Sequence, residues 1–212
     1  SQNLITNSTD VSYTLSENIY KGEFKWDRVG GVEDTLAPYV AILEVDEMKK
    51  DIYSRKQLVN IPKFVENTVY TLSVSGVDRA GNEANDVVIS NIEYDFTPPK
   101  LTWFTPLSGD AVNHKKVSFS NSELLKSGSI AWSWVSGVSD NDSLHIMQLF
   151  KEELNSGTFG PSSIANAPSL VDGGIYNISY SAFDPAGNES NIMYIDDTLY
   201  DITQPQLVSP YQ

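Results

Sequence analysis

The side chains best equipped for chemistry are oxygen donors in two short turns. Asp78-Arg79-Ala80-Gly81-Asn82-Glu83 and Asp184-Pro185-Ala186-Gly187-Asn188-Glu189 present a carboxylate, an amide and a second carboxylate at the same spacing, 106 positions apart. Two chemistries fit. In the first, the groups serve only the backbone: Gly supplies a positive φ in a hairpin turn, and the Asp and Asn side chains bond back to turn amides. In the second, they ligate a hard cation. Calcium takes six to eight oxygens from carboxylates, carbonyls and amides, so other loops would have to bring further ligands.

The rest of the inventory argues against catalysis. The chain has no cysteine, hence no disulfide and no thiolate metal site. Its two histidines, His114 and His145, align with Ser8 and Tyr39 in the other half, so neither belongs to a duplicated site. No nucleophile elbow, phosphate loop or His-x-x-x-His pair is present. A carboxylate pair for glycoside hydrolysis stays open from composition, but no cleft is visible in the pattern. Asp140-Asn141-Asp142-Ser143 resembles a calcium loop only at its start, lacking Gly at position six and Glu at position twelve. The net charge of −14 disfavours nucleic acid and anionic membrane surfaces, which reward Lys and Arg. No apolar run approaches the ~20 residues of a membrane-inserted helix.

The elements that would carry these turns are strands. The 106-residue offset extends without a gap from Val11–Pro99 onto Val117–Pro205, with 29 identities in 89 positions, which reads as one domain duplicated. Apolar and polar residues alternate in Val11–Leu15, Glu23–Asp27 and Val69–Gly76 and in their partners, the pattern of strands with one buried face. Val87–Tyr94 and Met193–Tyr200 return from the Asp-x-Ala-Gly-Asn turns. Ser1–Asp10 reads as a loop, and Met48–Lys56 and Leu154–Ser162 as surface loop or edge. No helix pattern of useful length occurs. The expected core pairs are Trp26/Trp132, Tyr70/Tyr176, Leu72/Ile178 and Ile89/Ile195. Asp95-Phe96-Thr97-Pro98-Pro99 ends the first unit, since proline cannot donate to a ladder. Lys100–Pro106 is expected to be the first strand of the second domain. By the offset, domain one lacks that strand, and Gln206–Ser209 carries the next one. The fold expected is all-β, two tandem β-sandwich domains, over 1–97 and 98–205, with 206–212 beginning a following repeat.

Tyr-Asn-Ile-Ser-Tyr-Ser-Ala-Phe-Asp-Pro-Ala-Gly-Asn-Glu-Ser at 176–190, Tyr-Asp-Ile-Thr-Gln-Pro at 200–205, Val-Ser-Tyr-Thr-Leu-Ser-Glu at 11–17 and Gly-Gly-Val-Glu-Asp at 30–34 together resemble bacterial immunoglobulin-like tandem repeats of large secreted and cell-surface, adhesin-type proteins. The resemblance covers nearly the whole chain. It implies immunoglobulin-like sandwiches and a non-enzymatic spacer or stalk, located outside the cell or on the bacterial surface, with neighbouring repeats of the same chain as its partners. Some members of that class bind calcium at domain junctions. In such a sandwich the loop after the second strand and the last hairpin loop share a pole, so the candidate ligands are Asp95, Glu123, Asp184 and Asn188, with Glu17, Asp78, Asn82 and Asp201 as the incomplete equivalents. Asp34 and Asp140 fall at the other pole, as turn-bonding residues or as ligands reaching the same kind of junction from its other side. A rival reading is a carbohydrate- or protein-recognition module that uses Trp103 and Trp134 as exposed aromatics, its ligand unknown. Head-to-tail self-association, with Gln206–Ser209 added to a vacant edge of domain one, is a further expectation.

Overall fold

The computed structural model describes residues 4–163 and 167–208, and the chain divides into two compact units, Ser1–Thr97 and Pro98–Gln212. Both units are all-β, and each is a sandwich of two sheets.

In the first unit the large sheet runs β1 (Leu4–Thr6), β7 (Val87–Tyr94), β6 (Thr68–Val77), β3 (Lys21–Gly31) and β4 (Tyr39–Ile42). Its pairs are antiparallel except β1 with β7. The small sheet is β2 (Val11–Thr14) against β5 (Ile52–Lys56). Period-two alternation turns Gly22, Phe24 and Trp26 of β3 inward, and likewise Thr68, Tyr70 and Leu72 of β6. These meet Val11 of the small sheet in one cluster with Leu43, Leu58, Phe64 and Tyr94. Tyr13 reaches across to Phe24, their rings 5.2 Å apart and edge to face.

The second unit arranges β12 (His145–Gln148), β11 (Ser127–Gly137), β14 (Gly174–Phe183), β15 (Met193–Tyr200) and β9 (Ala111–Val112) in the same spatial order as their sequence counterparts. Again only the short outer strand, β9, is parallel to its neighbour. The small sheet has three strands: β13 (Gly157–Ser163), β10 (Lys116–Asn121) and β8 (Leu101–Thr105). Leu101 and Trp103 of β8 enter the core with Val117, Phe119, Ile130, Trp132, Tyr176, Ile178 and Tyr180.

Several expectations are corrected. Ser1–Asp10 is not all loop, because Leu4–Thr6 forms β1; three residues are too few to show an alternation. Ile89 is 45% exposed although its counterpart Ile195 is 4% exposed, since β8 covers the second unit's core and the described part of the first unit has no strand there. Trp103 is not a surface aromatic: it is 9% exposed, in the core, and its indole N–H donates to Pro106 O at 2.6 Å. Gln206, Leu207 and Val208 form no strand, and the rest of 206–212 lies outside the described residues, as do residues 1–3. Ile52–Lys56 and Gly157–Ser163 are edge strands of the small sheets. Trp26, Trp132, Tyr70, Tyr176, Leu72 and Ile178 are buried as expected.

Candidate functional site

The two Asp-x-Ala-Gly-Asn turns are built the same way. In the first unit Asp78 Oδ1 accepts the Asn82 N–H at 2.8 Å, and Asp78 Oδ2 accepts the Asn82 side-chain N–H at 2.7 Å. In the second, Asp184 Oδ1 accepts the N–H groups of Gly187 (2.7 Å) and Asn188 (2.8 Å), and Oδ2 accepts the Asn188 side chain at 2.8 Å. Gly81 and Gly187 have φ of 93° and 97°, the left-handed region that a side chain resists. The Asp–Asn pair therefore closes the loop between β6 and β7, and between β14 and β15. Asp78 is half-buried and its carboxyl is held below the ordinary range by the Asn82 side chain and backbone N–H.

In the second unit this turn meets the loop after β10. Glu123 is half-buried, Asp184 is buried, and each has a carboxylate oxygen within 4.8 Å of one on the other. Ser122 Oγ lies 3.4 Å from Glu123 Oε1, and Ser122 is fastened to Lys100 by backbone and side-chain bonds of 3.0 and 2.9 Å. Two carboxylates this close repel unless a proton, a donor or a cation intervenes. Glu123, Asp184 and the Asn188 amide are oxygen ligands of the type calcium takes. Their count falls short of six within this unit, and both oxygens of Asp184 already accept N–H groups. In the first unit Glu17 and Asn82 are exposed.

Asp95 and Asp201 have a local role in their own units. Asp95 Oδ1 accepts the Thr97 N–H at 3.1 Å, while Glu66 accepts the N–H groups of Phe96 and Thr97 at 2.9 and 3.1 Å. Asp201 Oδ1 takes the Thr203 N–H at 2.9 Å, and Asp172 takes the Ile202 N–H and the Thr203 hydroxyl at 2.8 and 2.6 Å. Each Asp-x-Thr is thus an Asx turn that ends the last strand under a second carboxylate. The Thr203 hydroxyl and the Ile202 N–H hold the Asp172 carboxyl below its ordinary value.

At the opposite end of each large sheet sits the polar site that sequence reasoning understated. Asp34 is buried and accepts Tyr70 Oη at 2.6 Å, Leu36 N at 3.0 Å and Tyr39 Oη at 3.1 Å. Burial opposes its ionisation, but the bonds from Tyr70, Leu36, Tyr39 and Ala37 outweigh burial and lower its pKa. Asp140 is buried likewise, with His145 Nε2 at 2.7 Å, Tyr176 Oη at 2.7 Å and Asp142 N at 3.0 Å. The His145 and Tyr176 bonds lower its pKa. Burial and the neighbouring carboxylates push the Tyr70 hydroxyl well above its usual range and that of Tyr176 up to about 12, so both remain donors. His145 stands where the other half has Tyr39 and makes the same kind of bond. The signal was available: Asp34 and Tyr70 recur as Asp140 and Tyr176 with the same 36-residue separation.

Trp134 is half-buried, with its indole N–H on Val138 O at 2.9 Å. Comparison with protein-family models and with curated proteins finds no match to this chain.

Proposed function

We propose that this chain is a non-enzymatic structural spacer, a pair of immunoglobulin-like repeats from a large bacterial extracellular or cell-surface protein of adhesin type. One observation carries the reading. The recurring Asp-x-Ala-Gly-Asn and Asp-x-Thr motifs close strand-ending turns, and Asp34 and Asp140 accept the Tyr70 and Tyr176 hydroxyls, alike in both halves. A chain that duplicates its fastenings is suited to bearing load between other domains. Single-molecule pulling on the full chain tests this. Two unfolding events are expected, each releasing about 300 Å of contour for a unit near 100 residues at ~3.3–3.6 Å per residue. Saturable binding of a soluble glycan or peptide, lost on Trp134→Ala, would replace the spacer with the recognition reading.

Calcium is the second part of the proposal, with Glu123, Asp184 and Asn188 as ligands and Asp95, in the segment leading to Lys100, supplying another. The close Glu123–Asp184 pair supports it. A ligand bound only by the folded state stabilises it by about 2.7 kcal/mol at one hundred times its Kd. Calcium should therefore raise the melting midpoint against chelator in the wild type, and Glu123→Ala or Asp95→Ala should abolish the rise. An equal midpoint in calcium and chelator would return these residues to turn chemistry and leave the spacer without a metal.

A further inference from the structure

The start of β3 in the first unit, with the ends of β4 and β6 beside it, borders a depression of about 440 Å³. Its polar lining includes Tyr20, Lys21, Glu23 and Ser75, and Ile42 and Val77 flank them. The ladder dictates this grouping. Along β3, Lys21 and Glu23 alternate with the buried Gly22 and Phe24, so both stand on the outer face of the large sheet. Glu23 lies opposite Ile42 of β4 on one side and Ser75 of β6 on the other, and Lys21 lies opposite Val77. Tyr20 is fixed at the entrance to β3, because its N–H donates to Val77 O at 2.7 Å. Tyr20 is 61% exposed, with Lys21 Nζ 6.0 Å from its ring centre. Glu23 is half-buried, yet among the described residues neither it nor Lys21 forms a salt bridge or a side-chain hydrogen bond.

The other half shows that the fold does not require these groups. In place of Tyr20, Lys21 and Glu23 it has Lys126, Ser127 and Ser129, and in place of Ile42 and Val77 it has Gln148 and Phe183. The ladder is kept there, with Ser129 opposite Gln148 and Ser181. The aromatic ring and the Lys–Glu pair at these positions therefore belong to the first unit alone. We propose that this depression is a binding site for a neutral saccharide. A carboxylate only accepts hydrogen bonds and an ammonium only donates them. With one of each on the same face, an anion satisfies Lys21 alone and a cation satisfies Glu23 alone. A hydroxyl both donates and accepts, so a ring carrying several of them serves both groups through charge-assisted bonds and serves Ser75 as well. The remaining surface is apolar. The Tyr20 ring offers its face to the C–H side of a sugar, and Ile42 and Val77 extend that contact. The volume falls within the ~300–1,000 Å³ of small-molecule pockets, enough for about one or two sugar rings.

The inference goes beyond the spacer reading and uses neither calcium nor Trp134, so it is tested on the full chain in chelator, with Trp134→Ala as control. The probes are the methyl glycosides of glucose, galactose, mannose and N-acetylglucosamine, with cellobiose and lactose, read by saturation-transfer NMR. At least one should bind saturably with a Kd of about 0.1–5 mM, the weak range suited to a shallow site for a single ring. Tyr20→Ala should weaken that binding about tenfold, the scale of one lost aromatic contact, and Tyr20→Phe should retain it. Glu23→Gln keeps the shape but removes the charge, and should also weaken binding. Tyr20→Ala and Glu23→Gln should melt like the wild type, since Tyr20 is exposed and the Glu23 carboxylate fastens nothing; that separates lost binding from lost folding. Trp134→Ala should leave the Kd unchanged. No saturable binding of any probe up to about 10 mM would overturn the site. Binding indifferent to Tyr20→Ala and Glu23→Gln, or lost only with Trp134→Ala, would overturn it as well.

Discussion

Replacing Tyr70 by Phe removes one oxygen from the buried network around Asp34 and changes little else in shape. Two bonds go with it: the one given to Asp34 Oδ2 at 2.6 Å and the one accepted from Val65 N at 3.3 Å. A hydrogen bond to a charged group contributes about 1.5–3 kcal/mol and a neutral one about 0.5–1.5 kcal/mol. The longer bond belongs at the bottom of its range, so the expected loss is about 2–3.5 kcal/mol. At 4–8 °C per kcal/mol for a unit of this size, the midpoint of the first unit should fall by about 8–28 °C.

The same substitution should change how stability depends on pH. Asp34 has a folded pKa below its unfolded value of about 3.9. Such a group contributes stability that is complete above the unfolded pKa and is lost as pH falls through the folded one. Tyr70→Phe removes the strongest bond that lowers this pKa, so the variant has less to lose in acid. The gap between wild type and variant should be full at pH 7 and narrow below about pH 4. Calorimetry at pH 7 and pH 3 measures both, with Tyr176→Phe as the companion in the second unit. Asp34 is the cleaner case because no histidine joins its network. A gap under about 0.5 kcal/mol, or one that stays constant from pH 7 to pH 3, would refute the assignment of Asp34 as a buried carboxylate held by Tyr70.

Trp103→Ala should cost the second unit about 3–5 kcal/mol, the range for deleting a buried aromatic, and should uncover apolar surface at Phe119 and Tyr180; urea unfolding with a hydrophobic dye as second probe reads both. Gly137→Ala should be severe in a thermal melt, because its φ is 77° and an added Cβ would stand 2.3 Å from Gly173 O, a backbone atom. Gly81→Ala, with φ 93° and nothing within 4 Å, should cost only the ~1–2 kcal/mol of the left-handed conformation.

What could be read from the sequence was what repeats at short range. Alternation marked β3, β6, β11 and β14, because one face of each is buried and the other is not. The turn chemistry of Asp78 and Asp184 was legible because its donors lie three or four residues away. The bond from Tyr70 to Asp34 spans 36 residues and depends on which strands become neighbours, so no local pattern announces it. β1 and β9 escaped because two or three residues carry no period, and their parallel pairing with β7 and β15 is set by tertiary contact. The Glu123–Asp184 approach was foreseen from the order of loops in a sandwich, whereas the Asx turns at Asp95 and Asp201 were not, although Asp-x-Thr is a recognised turn signal.

The exposure of Ile89 shows why identity at a position does not guarantee equivalence. Ile89 and Ile195 are the same residue on matching strands, and Leu72 and Ile178, paired with them across the sheet, are both buried. Burial is a property of what lies opposite, and opposite Ile195 the chain supplies β8. The first unit keeps an inward-facing apolar set appropriate to a covered groove: Phe24, Leu72, Val74 and Ile89. Isolated exposed apolar residues are ordinary on a protein surface, but a concave row that continues the core is not. Among the described residues, the apolar row of Tyr13, Val74 and Ile89 is therefore where two matching sequences differ most in burial.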